Sequence, residues 1–203
     1  MDTLVVSMQP QTEKIVLNQA RQGEERAFAQ LVEAHSERAI SLAWRLVGRR
    51  EDAEEIAQEA FVRLFHALTT FRGESTVATW LYRTVSRLAI DHLRREKLKK
   101  KLFFFAGERG AEQSAALESF PDPAASSPLE QLLARETAGR MNQVLNRLPP
   151  RQKAVFVLRH LEELTLREIA EALDLEEGTV KTHLHRAVER FRKEYRRMEG
   201  GSR

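Results

Sequence analysis

The chain has 203 residues, 42% of them apolar, which is enough for one large or two small packed cores. Lysine and arginine number 33 against 30 acids, so the net charge is only +3 although charged residues make up 31%; the charges are sorted along the chain rather than missing. Cysteine is absent, which excludes disulfides, thiolate metal sites and a thiol switch within the chain, and no apolar run approaches the ~20 residues that span a bilayer, so a soluble, cytoplasmic protein with no membrane insertion is expected.

Apolar spacing is helical nearly everywhere, and no segment alternates with period two for long enough to form a strand, so the predicted fold is all-α. A short helix spans about Thr12 to Arg21. From Glu24 to Val47, the residues Phe28, Leu31, Val32, Ala39, Leu42, Ala43 and Leu46 form one stripe, and Gly48 supplies a C-terminal stop. The next stripe is Ala53, Ile56, Ala57, Ala60, Phe61, Leu64, Phe65 and Leu68, and its start, Glu51 to Glu59, holds five acids and no base. The helix dipole favours acids at that end, which accounts for Glu51 and Asp52 better than for Gln58 and Glu59. Contact with a basic protein partner is the other reading, and chemistry leaves both standing.

Phe71, Arg72 and Gly73 break the pattern, and Ser75 or Thr76 can cap a third helix with Leu81, Thr84, Val85, Leu88, Ala89 and Leu93 inward. From Arg83 to Lys101 it carries eight basic residues against two acidic. Trp80, Tyr82, Arg83 and Arg87 open this helix; Arg94, Arg95 and Lys99 to Lys101 close it. Aromatics among cations suit single-stranded nucleic acid, where stacking contributes ~1–3 kcal/mol per base and cations hold the backbone. Core packing is an equal reading for Trp80 and helix support for Tyr82; for Lys99 to Lys101 a solvated helix end is the weaker reading, given the other basic residues nearby.

Gly107 to Ser127 is rich in Ala, Ser, Pro and Glu, and Gly107 to Glu130 carries five acids and one base, so a mobile acidic linker is expected. Ser127, Pro128 and Glu130 restart a helix as cap, first residue and capping-box partner. Leu129, Leu132, Leu133, Met141, Val144 and Leu145 line it. Pro149 and Pro150 end it and open another, with Ala154, Val155 and Leu158 inward. The expected organisation is two small helical domains, 12–104 and 128–199, joined by a flexible acidic linker, 105–127.

Thr165, Leu166, Arg167 and Glu168 form a second capping box, and the helix it starts runs to about Leu173. Asp174 can take the left-handed conformation of a tight turn, and a longer helix runs from about Glu177 to Met198. Two helices joined so closely must cross steeply. Ala170 is the small residue at the crossing, and Ile169, Leu173, Leu175, Val180 and Leu184 are the apolar ones. This is a helix-turn-helix pattern. With Val180 and Leu184 inward, Lys181, Thr182 and His185 face a major groove, where lysine can donate to guanine O6 and N7. Arg186, Arg190 and Lys193 suit phosphates. An ordinary helical hairpin with a solvated basic face is the alternative.

Several runs resemble one family. Asp52-Ala53-Glu54-Glu55-Ile56-Ala57-Gln58-Glu59-Ala60-Phe61, then Phe71-Arg72-Gly73, Thr79-Trp80-Leu81-Tyr82-Arg83 and Ala89 to Arg95 resemble region 2 of the extracytoplasmic-function sigma factors of the sigma-70 family. Leu148 to Gln152, Glu168-Ile169-Ala170 and Gly178-Thr179-Val180-Lys181 resemble region 4. The resemblance runs from about Ala20 to Arg197. It implies an RNA polymerase specificity subunit with no chemistry and no cofactor of its own. Asp52, Glu55, Gln58 and Glu59 would dock on the clamp helices of the beta-prime subunit. Phe71, Trp80, Tyr82, Arg83, Arg87, Arg94 and Arg95 would recognise and help melt the −10 element. Gly178, Thr179, Lys181, Thr182, His183, His185, Arg186 and Arg190 would read the −35 element. The linker would thread through core polymerase near the RNA exit path, and core polymerase, through its beta-prime and beta subunits, would be the protein partner.

An anti-sigma partner is implied, and in the free protein the two domains are expected either to pack together or to be held by that anti-sigma factor, which would hide both DNA faces. Many members carry Asn where Arg87 stands and Ser-Arg where Thr182-His183 stands, which implies a promoter preference of its own. Two other classes explain less. A stand-alone regulator resembling the LuxR type would need a sensor domain or dimer interface that the N-terminal half does not offer. A nucleic-acid enzyme would need a metal or nucleophile constellation, and His183 and His185 lie on nearly opposite helix faces.

Overall fold

The computed structural model describes residues 9–70, 76–105 and 128–200. Phe71, the Ser127 cap and nearly all of the expected linker lie outside the described residues. Within them the chain forms helices only: α1 (Pro10–Arg21), α2 (Glu25–Val47), α3 (Arg50–Ala67), α4 (Val77–Phe105), α5 (Pro128–Asn146), α6 (Pro150–His160), α7 (Leu166–Leu173) and α8 (Glu177–Gly200).

The boundaries follow local chemistry. Gly48 closes α2 in the left-handed region at φ 83°, where its N–H donates to the Trp44 carbonyl and a residue without Cβ has no steric penalty. Thr76 is the cap of α4: its Oγ1 accepts the Thr79 N–H at 3.1 Å. A second acceptor comes from α1, whose Glu13 Oε1 takes the Val77 N–H at 3.1 Å, so two of the orphan donors at the start of α4 are satisfied. The Thr165 box is complete. Thr165 Oγ1 accepts the Glu168 N–H, and Glu168 Oε2 accepts the Thr165 N–H at 2.7 Å. The Thr165 hydroxyl and N–H both donate to the Glu168 carboxylate, at 2.7 Å each, which favours its charged form and holds Glu168 below the usual carboxyl range. Asp174 takes the left-handed turn at φ 55° and ψ 56°.

In the first group, α2 packs on α1, α3 and α4. Leu31, Leu42 and Leu46 of α2 meet Leu64 of α3 and Val77 and Val85 of α4, all fully buried. In the second group, α6 and α8 are joined by Phe156 and Phe191, stacked with ring centroids 4.9 Å apart, and by the buried Val155, Val157, Leu158, Ile169, Val180 and Ala187. The apolar cluster is continuous across both groups, because α6 lies against α2 and α4 and α7 lies against α4.

Two features depart from the apolar pattern. Phe65 belongs to the sequence stripe of α3 yet is 52% exposed. It sits one residue past the buried Leu64, which rotates it to the rim, where its ring meets Phe28 edge-on at 5.1 Å and His66 at 5.9 Å. Conversely, Lys153 of α6 is 2% exposed, and its Nζ donates to Asn146 Oδ1 at 2.7 Å. Burial alone lowers its ammonium to about 7, since a low-dielectric site penalises the charged form. The Asn146 side chain in turn lies 3.0 Å from where a Cβ on Gly48 would stand, so a larger residue there would have to push the Asn146 amide by a few tenths of an ångström in addition to the strain of the positive φ.

Candidate nucleic-acid interfaces

The second group presents a helix-turn-helix as the spacing predicts. Ile169 is fully buried and Ala170 is 7% exposed at the crossing; Val180 and Ala187 anchor the inner side of α8 with no exposure. That anchoring turns Lys181, Thr182, His185, Arg186 and Arg190 outward, and all are exposed. Lys181 and Arg186 make no ion pair among the described residues. The Thr182 hydroxyl donates back to the Gly178 carbonyl at 2.9 Å, which leaves its oxygen free to accept and its methyl to pack. His185 lies 3.5 Å from Glu189. Gly178 and Thr179 sit in the first turn, where a side chain added at Gly178 would meet nothing within 4 Å. His183 differs from its neighbours. It is half-buried on the flank of α8, its Nδ1 is buried with no partner among the described residues, and burial followed by Arg151 and Arg186 lowers its pKa. Both effects favour the neutral imidazole, so His183 is suited to offer shape and a hydrogen bond rather than charge.

The first group presents two surfaces. On α3, Glu55, Gln58 and Glu59 are exposed. Glu59 pairs with Arg63 at 2.8 Å and Glu54 with Arg50 at 2.9 Å, whereas Glu55 has no partner among the described residues. Asp52 is half-buried and turned toward α4, where its carboxylate lies 3.4 Å from His92 Nε2 and 3.7 Å from Arg49. Beside these acids stand Val62, 46% exposed, and Phe65, 52% exposed. Sequence periodicity assigned Phe65 to the core and missed both as surface.

On α4, Arg83, Arg87, Arg94 and Arg95 are exposed and Trp80 is half-buried against the core. Arg94 reaches Asp91 at 3.7 Å and Arg95 bonds the Asp91 carbonyl at 3.4 Å. Tyr82 is only 8% exposed. Its hydroxyl donates to Glu162 Oε2 at 3.1 Å, and burial together with that carboxylate pushes the phenol well above its usual range. Glu162 belongs to the turn between α6 and α7. Its carboxylate also takes Arg45 at 2.5 Å and lies 3.7 Å from Arg38. Sequence reasoning gave Glu162 no role, because an acid between two helices reads as solvated surface. The two helical groups pack together, one of the two arrangements expected, but they hide the faces unequally: Tyr82 is covered and Arg87 faces Asp174 at 3.9 Å, while the outer face of α8 stays open.

Two family models match the chain: Sigma-70 region 2 over residues 31–99 and Sigma-70 region 4 over residues 138–191. The chain is 32% identical over 180 residues to the ECF RNA polymerase sigma factor SigW of Bacillus subtilis, covering 89% of this chain and 95% of that one. The chain belongs to the extracytoplasmic-function sigma factors of the sigma-70 family. It is also similar to the RNA polymerase sigma-H factor of Pseudomonas aeruginosa, at 31% identity over 89% of this chain and 92% of the relative. Among solved structures, CnrH in complex with the cytosolic domain of CnrY aligns at TM-score 0.59 and 24% identity over 89% of this chain and 95% of that one. RpoE in complex with the anti-sigma factor NepR from Bartonella quintana aligns at TM-score 0.55 and 16% identity, over 82% and 94%. At these identities the two structures establish that the fold is shared. The function of this sigma factor is promoter-specific transcription initiation through RNA polymerase.

Proposed function

We propose that residues 12–104 form the region 2 domain and residues 128–199 the region 4 domain, and that three faces divide the work of initiation. The outer face of α8 reads the −35 element in the major groove. The exposed cations of α4, with Trp80 and Tyr82, hold the −10 strand. The acidic face of α3 docks on core polymerase. The observation that carries this reading is the cationic outer face of α8, held outward by the buried Val180 and Ala187, with Lys181 and Arg186 making no ion pair among the described residues. A recognition helix needs that combination of a fixed inner side and uncommitted donors.

The roles separate by chemistry. Lys181 and His185 stand early in α8, where base edges are read, with Thr182 and its free acceptor lone pairs between them. Arg186 and Arg190 stand farther along and suit phosphates, which fix register without reading sequence. Lys181→Ala should cost about 1–3 kcal/mol at particular −35 bases and relax preference there. Arg186→Ala should weaken binding to all duplexes alike and lower the salt slope by about 1. Titrating both variants against a randomised −35 duplex library at several salt concentrations measures each effect, and an unchanged base profile for Lys181→Ala would reassign that residue.

On α3 the exposed Glu55, with no partner among the described residues, and the exposed Val62 and Phe65 form a mixed acidic and apolar surface, the composition that a basic helical partner with apolar ridges would cover. Core polymerase, through its beta-prime and beta subunits, is that partner in this reading, and an anti-sigma factor competes for the same protein. The chain performs no chemistry itself and acts in the cytoplasm beside the polymerase. Glu55→Lys should weaken assembly with core polymerase at least tenfold, because it places like charge against the partner. Native gel shift of core by the two proteins checks this, and equal assembly would move the docking surface elsewhere.

A further inference from the structure

The Glu162 carboxylate is 4% exposed at the side-chain level, and all of its partners lie on the opposite domain. Arg45 Nη1 reaches Oε1 at 2.5 Å, Tyr82 Oη donates to Oε2 at 3.1 Å, and Arg38 Nε lies 3.7 Å from Oε2. The Arg38 guanidinium also stands over the Tyr82 ring, 5.2 Å from its centroid. Two guanidinium groups and a phenol converging on one acceptor are a built anion site. Nothing about the packing of α2 and α4 requires it, because Arg45 is one-third exposed and Arg38 mostly exposed even with Glu162 in place.

The occupant arrives from the region 4 domain, and a second acid of that domain behaves in the same sense: Asp174 faces Arg87 across the same interface at 3.9 Å. Both acids therefore lie against cations or donors of the surface assigned above to the −10 strand. A carboxylate and a phosphodiester present the same pair of acceptor oxygens to guanidinium.

We propose that Arg38, Arg45 and Tyr82 form a phosphate-binding site for single-stranded DNA, and that Glu162 fills it in the closed chain as an internal competitor. This rests on the reading of α4 as the single-strand face and deepens it by adding two residues of α2, Arg38 and Arg45, that no motif singled out. Closing the domains then costs the protein its strand affinity, and any partner that draws region 4 away frees the site. The two states are mutually exclusive, so the apparent strand affinity falls by the fraction of molecules that are closed.

Glu162→Gln tests the proposal with little change in shape. The amide removes the charge that holds Arg45, so the full-length variant should open and should bind a fluorescent random-sequence single-stranded 20-mer about tenfold more tightly at low salt. Adding Arg45→Ala to Glu162→Gln should abolish that gain although the chain stays open. Opening is read independently, since the chain has no cysteine and dye pairs can be placed through Glu33→Cys and Arg192→Cys. A Glu162→Gln protein whose dyes stay as close as in the parent overturns the competitor role. An open Glu162→Gln protein that keeps its gain when Arg45 is removed overturns the phosphate site. If instead the open protein gains nothing and is also indifferent to Arg83→Ala and Trp80→Ala, the α4 reading itself fails, and the phosphate site fails with it.

Discussion

The Lys153→Met protein should be more stable than the parent by about 1–3 kcal/mol at pH 6 and should lose a pH dependence that the parent has. Lys153 is 2% exposed and its one partner among the described residues, Asn146, is neutral, so no carboxylate among them offsets the cost of burying the cation. Burial lowers its ammonium from 10.5 to about 7. The folded value lies below the unfolded one, so between these pH values the unfolded chain binds a proton that the folded chain has released. Stability of the parent should therefore climb as pH rises from about 7 toward 10.5, while below pH 7 the cost is present in full.

Burial lowers His35, His160 and His183 from 6.5, so their contributions change below that pH. The raised Tyr82 phenol acts only above its ordinary value of 10.0. Urea unfolding at intervals from pH 7 to 9.5 isolates Lys153. A parallel slope in the Lys153→Met protein would show that another group titrates there.

Ile169→Ala should cost about 2–5 kcal/mol, because Ile169 is fully buried where α7 crosses α8 and truncation removes its transfer energy and leaves a cavity. The consequence should reach function without touching a DNA-facing residue. Ile169, Ala170 and Val180 fix the angle at which α8 presents Lys181, so a loosened crossing should weaken −35 duplex binding while core polymerase assembly through α3 persists. Hydrogen exchange at α7 and α8 amides, with duplex and core titrations, separates the two. Unchanged duplex affinity in a destabilised protein would mean that the crossing does not set the pose of α8.

What was legible in the sequence was whatever is decided within a few residues. The Thr165 box, the left-handed Asp174 and the Gly48 stop follow from local hydrogen bonding and backbone sterics, and each stands where the spacing places it. The outward set Lys181, Thr182, His185 and Arg186 was legible because the period of a helix converts buried Val180 into exposed neighbours. The helix period also set His183 apart from His185, but its half-burial depends on where Arg151 and α6 lie.

Three features depend on contacts between distant segments and left no local trace. Glu162 meets Tyr82 across 80 positions and Arg45 across 117. Lys153 looks like any surface lysine until α6 is docked. Phe65 satisfies the periodicity of α3 yet sits on its rim, because a stripe marks a face and not its edge. The openness of α8 in the closed chain likewise emerges only from how the domains dock, which covers Tyr82 and leaves Lys181 in solvent.

Run-off transcription from pooled genomic fragments, with bacterial core polymerase in the presence and absence of the full chain, puts the three-face account to the test. The account requires discrete transcripts that depend on the protein, whose aligned starts share −10 and −35 sequences, and that are lost with Glu55→Lys and shifted in −35 preference with Lys181→Ala. Transcripts that ignore both substitutions, or no transcripts and no stable complex with cognate core, would contradict it.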